Sequence, residues 1–102
     1  MNKFLFTLNR VIDGDTLQGV LHLGFNISLS TRIRLSNIDI VELREQGGYD
    51  AKKFVEEALY GEKLYVITEG KFDSFGRVIG DIAFGNIVSL SEHLRNAGFE
   101  KS

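Results

Sequence analysis

The chain contains no cysteine, which excludes a disulfide framework and a thiolate metal site and leaves the redox compartment unread. Proline is absent too, so chain reversals fall to the 11 glycines. Long apolar runs are missing. The opening "MNKFLFTLNRVIDGD" is cut short by Asn9 and Arg10, which makes it too brief to span a membrane, and it lacks a small-residue cleavage site. The expected location is therefore cytosolic for the chain as given, or secreted where an export signal has been removed. A surplus of positive charge is also missing. Lys and Arg total 12 against 14 Asp and Glu, for a net charge of −2 and a pI near 5.6. That balance argues against a passive nucleic-acid binder, which is usually strongly basic. It leaves room for an enzyme that needs positive charge only at its site. No internal repeat, low-complexity stretch or linker interrupts the chain.

What is present is an ordinary soluble composition, 43% hydrophobic and 25% charged over 102 residues, enough for one core and one domain spanning 1–102. "KFLFTLNRVI" and "TLQGVLHL" read as strands; in the second, Leu17, Gly19, Leu21 and Leu23 alternate with Gln18, Val20 and His22. "GFN" reads as a hairpin turn. "ISLSTRIRLSNID" continues as a long strand, with Ile27, Leu29, Ile33 and Leu35 facing one way and Ser28, Ser30, Arg32 and Arg34 the other. Its phase slips before Ile38, which predicts a bulge or bend near Ser36 and Asn37. "YDAKKFVEEALYG" is a helix with Ala51, Phe54, Val55, Ala58 and Leu59 on one stripe and Gly61 placed to end it. "KLYVIT" is a strand, "EGKFDSFG" a loop and "RVIGDIAF" a strand. "SLSEHLRNAG" is a helix opened by a Ser89/Glu92 capping box and closed by Gly98. The order β-β-β-α-β-β-α predicts an α+β, mainly β, protein. Its five strands fit a Greek-key barrel of the oligonucleotide/oligosaccharide-binding (OB) type, with a helix between strands 3 and 4 and a second near the C-terminus.

Five polar residues fall at strand ends or in loops: Asp15, Arg34, Asp39, Glu42 and Arg77. Each has an ordinary explanation when taken singly. "VIDGDT" sets Asp13 and Asp15 either side of one glycine, more often a turn than a ligand pair. Arg34 lies on the polar face of a strand, and "IDIVE" can end in plain surface acids. "DSFGR" has the form of a type I turn with Asp73 first and Gly76 last. His22 and His93 stand apart from these residues and read as structural or surface groups.

Together, from about Asn9 to Lys101, these stretches resemble the staphylococcal nuclease (thermonuclease-like) family in order and spacing. "VIDGDT" resembles its first signature, with Asp15 at a metal-binding aspartate. "RIRLSNIDIVE" resembles the second, which implies Arg34 as a catalytic arginine, Asp39 as a second metal carboxylate and Glu42 as the catalytic glutamate. The ligand between them acts through a backbone carbonyl, here that of Ile40. "DSFGR" resembles the third and implies Arg77 as the other catalytic arginine. "VSLSEHLRNAGFEK" resembles the helix that follows. The chain has Ile40-Val41 where the family usually has Thr-Pro or Ala-Pro.

The resemblance implies an endonuclease that uses Ca²⁺ to cleave DNA or RNA and leaves 3′-phosphates. Physical chemistry accounts for the parts. A phosphodiester repels nucleophiles and gains charge under attack. A hard cation on oxygen ligands and two arginine forks offset that charge, and a carboxylate takes the proton of water. Asp13 is then a turn residue or a supporting acid. The alternative is a catalytically silent module that binds nucleic acid or protein. Such relatives often lose the acids or arginines, and this chain keeps all five.

Overall fold

The computed structural model describes residues 2–40 and 48–101. The strands are β1 (Asn2–Asp13), β2 (Thr16–Gly24), β3 (Ile27–Leu35), β4 (Leu64–Phe72) and β5 (Val78–Phe84). Helix α1 (Gly48–Leu59) lies between β3 and β4, and α2 (Leu90–Asn96) follows β5. The strands close into a barrel in the order β1-β2-β3-β5-β4. All pairings are antiparallel except β3–β5, where Ile33, Arg34 and Leu35 run parallel to Val78, Ile79 and Gly80. This is the OB-type α+β architecture expected from the element order. Among the described residues no helix is long and apolar enough to cross a membrane.

The inward faces of the strands supply the core. Leu17, Ile33, Leu35, Val66 and Ile82 are fully buried, each fully buried aliphatic side chain contributing roughly 2 kcal/mol. The α1 stripe turns inward as expected: Ala51, Val55 and Leu59 are buried, and Phe54 and Ala58 pack partly against the core. At the start of α2, Ser89 Oγ accepts from Glu92 N at 3.0 Å. Asp81 braces that turn by accepting from Ser89 Oγ at 2.5 Å and Ser91 N at 3.1 Å. Both histidines have structural partners. His93 stacks on Phe54 with ring centroids 5.2 Å apart, and His22 Nε2 shares a hydrogen bond with Thr7 Oγ1 at 2.8 Å.

Two local expectations need correction. Residues 69–72, read as loop, belong to β4, because Phe72 pairs with Val78 across a register shift that skips the turn-like Glu69-Gly70-Lys71. Ile27 and Leu29, assigned to the inward face with Ile33 and Leu35, are exposed. The β2–β3 hairpin overshoots the barrel there, so the alternation continues where no core is left to receive it. Its two-residue turn has positive φ at both Phe25 (53°) and Asn26 (62°), the geometry that matches strand twist in tight hairpins. The predicted bend at Ser36–Asn37 is present, with Asn37 at φ 61°.

Candidate active site

Three chain reversals meet at one end of the barrel: the Gly14–Asp15 turn between β1 and β2, the bend after β3, and the Asp73–Arg77 turn between β4 and β5. Register aligns them. Arg34 pairs with Thr16 on one side and Ile79 on the other. Gly14 fits because it lacks a Cβ, which would lie 2.6 Å from Ile40 Cγ2 and 2.9 Å from Ala51 Cβ. The β1–β2 turn thus presses directly on the segment that carries Asp39 and Ile40.

Asp15, only 9% exposed, clamps these segments. Its Oδ1 accepts from Thr16 Oγ1 and its Oδ2 from Ile40 N, each at 3.1 Å, while its backbone carbonyl accepts from Leu35 N at 2.9 Å. Arg34 completes the bend. Nη1 donates to the carbonyls of Leu35 (2.7 Å) and Ile38 (2.8 Å), and Nη2 donates to Asp39 Oδ1 at 2.5 Å. The same Nη2 is 3.5 Å from Asp15 Oδ2, so both carboxylates converge on one guanidinium. Behind them, Lys101 N donates to Asp39 O at 2.7 Å, and Arg95 Nη2 donates to Asn37 O.

Arg77 reaches the cleft from the third turn. Gly76, at φ 81°, ends that turn by donating its N–H to Asp73 O at 3.1 Å. Asp73 Oδ1 accepts from Phe75 N and Arg77 N, both at 2.9 Å, and its Oδ2 accepts from Arg77 Nε at 2.6 Å. The Arg77 guanidinium lies 5.4 Å from the Phe75 ring centroid, within cation–π range, and Nη1 is 3.5 Å from Thr16 Oγ1. Asp73 therefore fixes the near side of Arg77 and leaves its end directed at the Asp15 clamp.

Partial burial pushes the Asp73 carboxyl up, but the hydrogen bonds and charge of Arg77, together with Phe75 N, hold it below its ordinary 3.8. The folded carboxyl thus binds its proton less tightly than the unfolded one. Its contribution to stability is fully present above 3.8 and fades as pH falls through the lower folded value. Urea unfolding should accordingly show an Asp73→Asn penalty that is constant from about pH 7 to about pH 5 and shrinks in more acidic solution. A penalty unchanged through that acid range would remove the charged Asp73–Arg77 clamp.

Asp13, Asp15, Arg34, Asp39, Ile40, Arg77 and Lys101 line one cleft of about 450 Å³. A larger one of about 530 Å³ shares Arg34, Asp39, Arg77 and Lys101 and extends past Phe75. Four of the five polar residues singled out in the sequence, and Ile40 with them, therefore come together; Glu42 lies outside the described residues. Three contributors were not legible as such. Asp73 was read only as a turn former, Thr16 only as part of the first motif, and Lys101 carried no local signal.

The atoms of this cleft able to ligate a cation are all oxygens, those of Asp13, Asp15, Asp39 and backbone carbonyls, set among Arg34, Arg77 and Lys101. Among the described residues no three His, Cys, Asp or Glu side chains are grouped as a metal cage. Further ligands would have to be carbonyl, water or phosphate oxygens. No curated protein matches the chain. A family model described as staphylococcal nuclease homologue matches residues 32–101, a span that includes Arg34, Asp39, Glu42 and Arg77 but not Asp15. The chain belongs to the staphylococcal nuclease homologue family.

Proposed function

We propose that the protein is a Ca²⁺-dependent nuclease that hydrolyses phosphodiester bonds of DNA, with RNA as a second candidate substrate. The observation that carries this reading is the convergence of Asp15, Asp39, Arg34 and Arg77 from three separate turns on one cleft. In this reading Asp15, Asp39 and the Ile40 carbonyl hold the cation, which when bound offsets the charge of the phosphodiester and polarises it. Arg34 and Arg77 grip the non-bridging oxygens, and their hydrogen bonds strengthen as negative charge builds on them. Glu42 takes a proton from the attacking water. Asp39 holds Arg34 Nη2, and a second positive partner for Asp39 frees that nitrogen to turn toward the phosphate.

The two carboxylates should separate in their effects. Asp39 is 76% exposed, so Asp39→Asn should cost less than about 0.5 kcal/mol of stability. Asp15→Ala leaves the buried Ile40 N–H without its acceptor and should cost about 1–3 kcal/mol. Both should abolish the rise in unfolding temperature that Ca²⁺ gives the parent, since only the folded pair binds it. A Ca²⁺ response that survives both changes would remove this pair as the cation site.

Direct incubation with nucleic acid tests the function itself. Plasmid DNA and single-stranded DNA should be cut in Ca²⁺ and left intact in chelator, with RNA assayed beside them, and with weak base preference because phosphate contacts carry no sequence information. Binding without cleavage under both conditions would favour the silent interaction module.

A further inference from the structure

Among the described residues, the outer edge of β3 has no strand beside it over most of its length. β2 pairs with β3 from end to end, but β5 joins it only at Ile33, Arg34 and Leu35. Two bonds show which backbone groups are open. Leu35 N donates to Asp15 O on the β2 side at 2.9 Å, and Ser36 N donates to Gly80 O on the β5 side at 2.8 Å. In an antiparallel strand the direction of N–H and C=O alternates from residue to residue. Leu35, Ile33, Thr31 and Leu29 therefore bond to β2, while Ser28, Ser30 and Arg32 point their backbone groups away from it. All three are exposed residues, and the Arg32 carbonyl also accepts from Thr31 Oγ1 at 3.3 Å. Such an edge is a template for another strand. The charges and prolines that usually blunt one are missing from residues 27–31.

The edge is its own complement. Ile27-Ser28-Leu29-Ser30-Thr31 reads alike in both directions by residue type: β-branched, Ser, Leu, Ser, β-branched. A two-fold interface requires this kind of self-matching. We propose that the protein forms a two-fold dimer by antiparallel pairing of β3 with β3 of a second copy, centred on Leu29. In that register Ser28 and Ser30 face each other across the interface and exchange both of their backbone bonds. Ile27 faces Thr31, and Leu29 meets Leu29 in the close, non-hydrogen-bonded position. A one-residue slip would set Leu29 against Ser30 and turn the two apolar faces to opposite sides. Centring on Ser30 would bring Ile27 against Ile33, where Val78 already lies. Centring on Ser28 would leave Ser30 opposite the turn residue Asn26. In the chosen register Arg32 falls opposite Asn26, so no like charges meet.

The interface is small. Ile27 is 57% exposed, with Leu23 and Leu29 partly exposed beside it, well short of the ~800 Å² per partner of a standard interface. Interfaces at this low end are weak and transient, and the expected Kd is on the order of 100 µM.

Sedimentation equilibrium of the full chain should pass from monomer to dimer between about 10 µM and about 1 mM. Leu29→Cys introduces the only thiol, at a position where the two Cα atoms are about 4.5 Å apart, within disulfide reach. Mild oxidation should convert most of that variant to a covalent dimer. Ser30→Cys, set diagonally from its counterpart, should cross-link at least about tenfold more slowly. Ser30→Pro removes an outward N–H while sparing the β2 ladder, and should raise Kd at least about tenfold. Leu29→Lys opposes like charges across the two-fold and serves as the second variant if the proline chain does not fold. A monomer at every concentration, a dimer indifferent to both substitutions, or equal cross-linking at positions 29 and 30 would overturn the proposal.

Discussion

Arg77→Lys should slow cleavage by about a hundredfold or more while changing the binding of uncleaved DNA by less than about tenfold. Lysine keeps the positive charge, so much of the long-range attraction to phosphate survives. What it loses is the planar fork. Arg77 uses Nε on Asp73 and the face of its guanidinium on Phe75, which leaves the remaining N–H groups aimed in a fixed direction; an ammonium on a flexible stem has no such aim. Only interactions stronger in the transition state than in the ground state accelerate chemistry, so the loss should appear in rate rather than affinity. Binding is best measured in a Glu42→Gln background, where turnover is suppressed. Arg34→Lys should show a similar loss of rate with an added cost in stability, because Arg34 also holds the Leu35 and Ile38 carbonyls. Arg77 is therefore the cleaner probe. Intact cleavage in both lysine variants would take the arginines out of the site, whereas a binding-only protein would show no cleavage and a binding loss that lysine largely spares.

Local patterns in the sequence reached the structure where local chemistry decides it. The Asp73–Gly76 turn and the bend at Asn37 depend on residues a few positions apart and formed as read, whereas the Ser89/Glu92 capping box formed only its Ser89 half, the Glu92 carboxylate accepting from Arg95 instead. Alternation in β3 assigned the inward face correctly at Ile33 and Leu35 but failed at Ile27 and Leu29. Period-2 patterning says which side a residue faces, not where the barrel beneath it ends. The site divides along the same line. Asp15, Arg34 and Asp39 were visible as motif residues, but nothing local shows that Arg34 sits between two carboxylates and two carbonyls. The union of Arg77 with Asp15 through Thr16 spans 61 residues between Thr16 and Arg77 and exists only because β2, β3 and β5 begin or end at the same rim. Asp73 was legible as a turn former, and its second role needed the side chain of Arg77 to fold back onto it.

The proposal that this cleft performs the hydrolysis is tested most directly at Glu42. It follows Asp39 by three residues and Ile40 by two, and both of those are pinned to the Asp15–Arg34 clamp. In the proposed reading its carboxylate is the group that accepts a proton from the attacking water. Glutamine matches its size and keeps hydrogen-bonding capacity but cannot accept that proton at neutral pH. The measurement is single-turnover cleavage of DNA in Ca²⁺ by the parent and by Glu42→Gln, each purified identically, with DNA affinity and the Ca²⁺ shift in unfolding temperature recorded beside it. The account predicts a rate at least about a hundredfold lower for Glu42→Gln, with affinity and Ca²⁺ response close to those of the parent. Equal rates for the two proteins would contradict it.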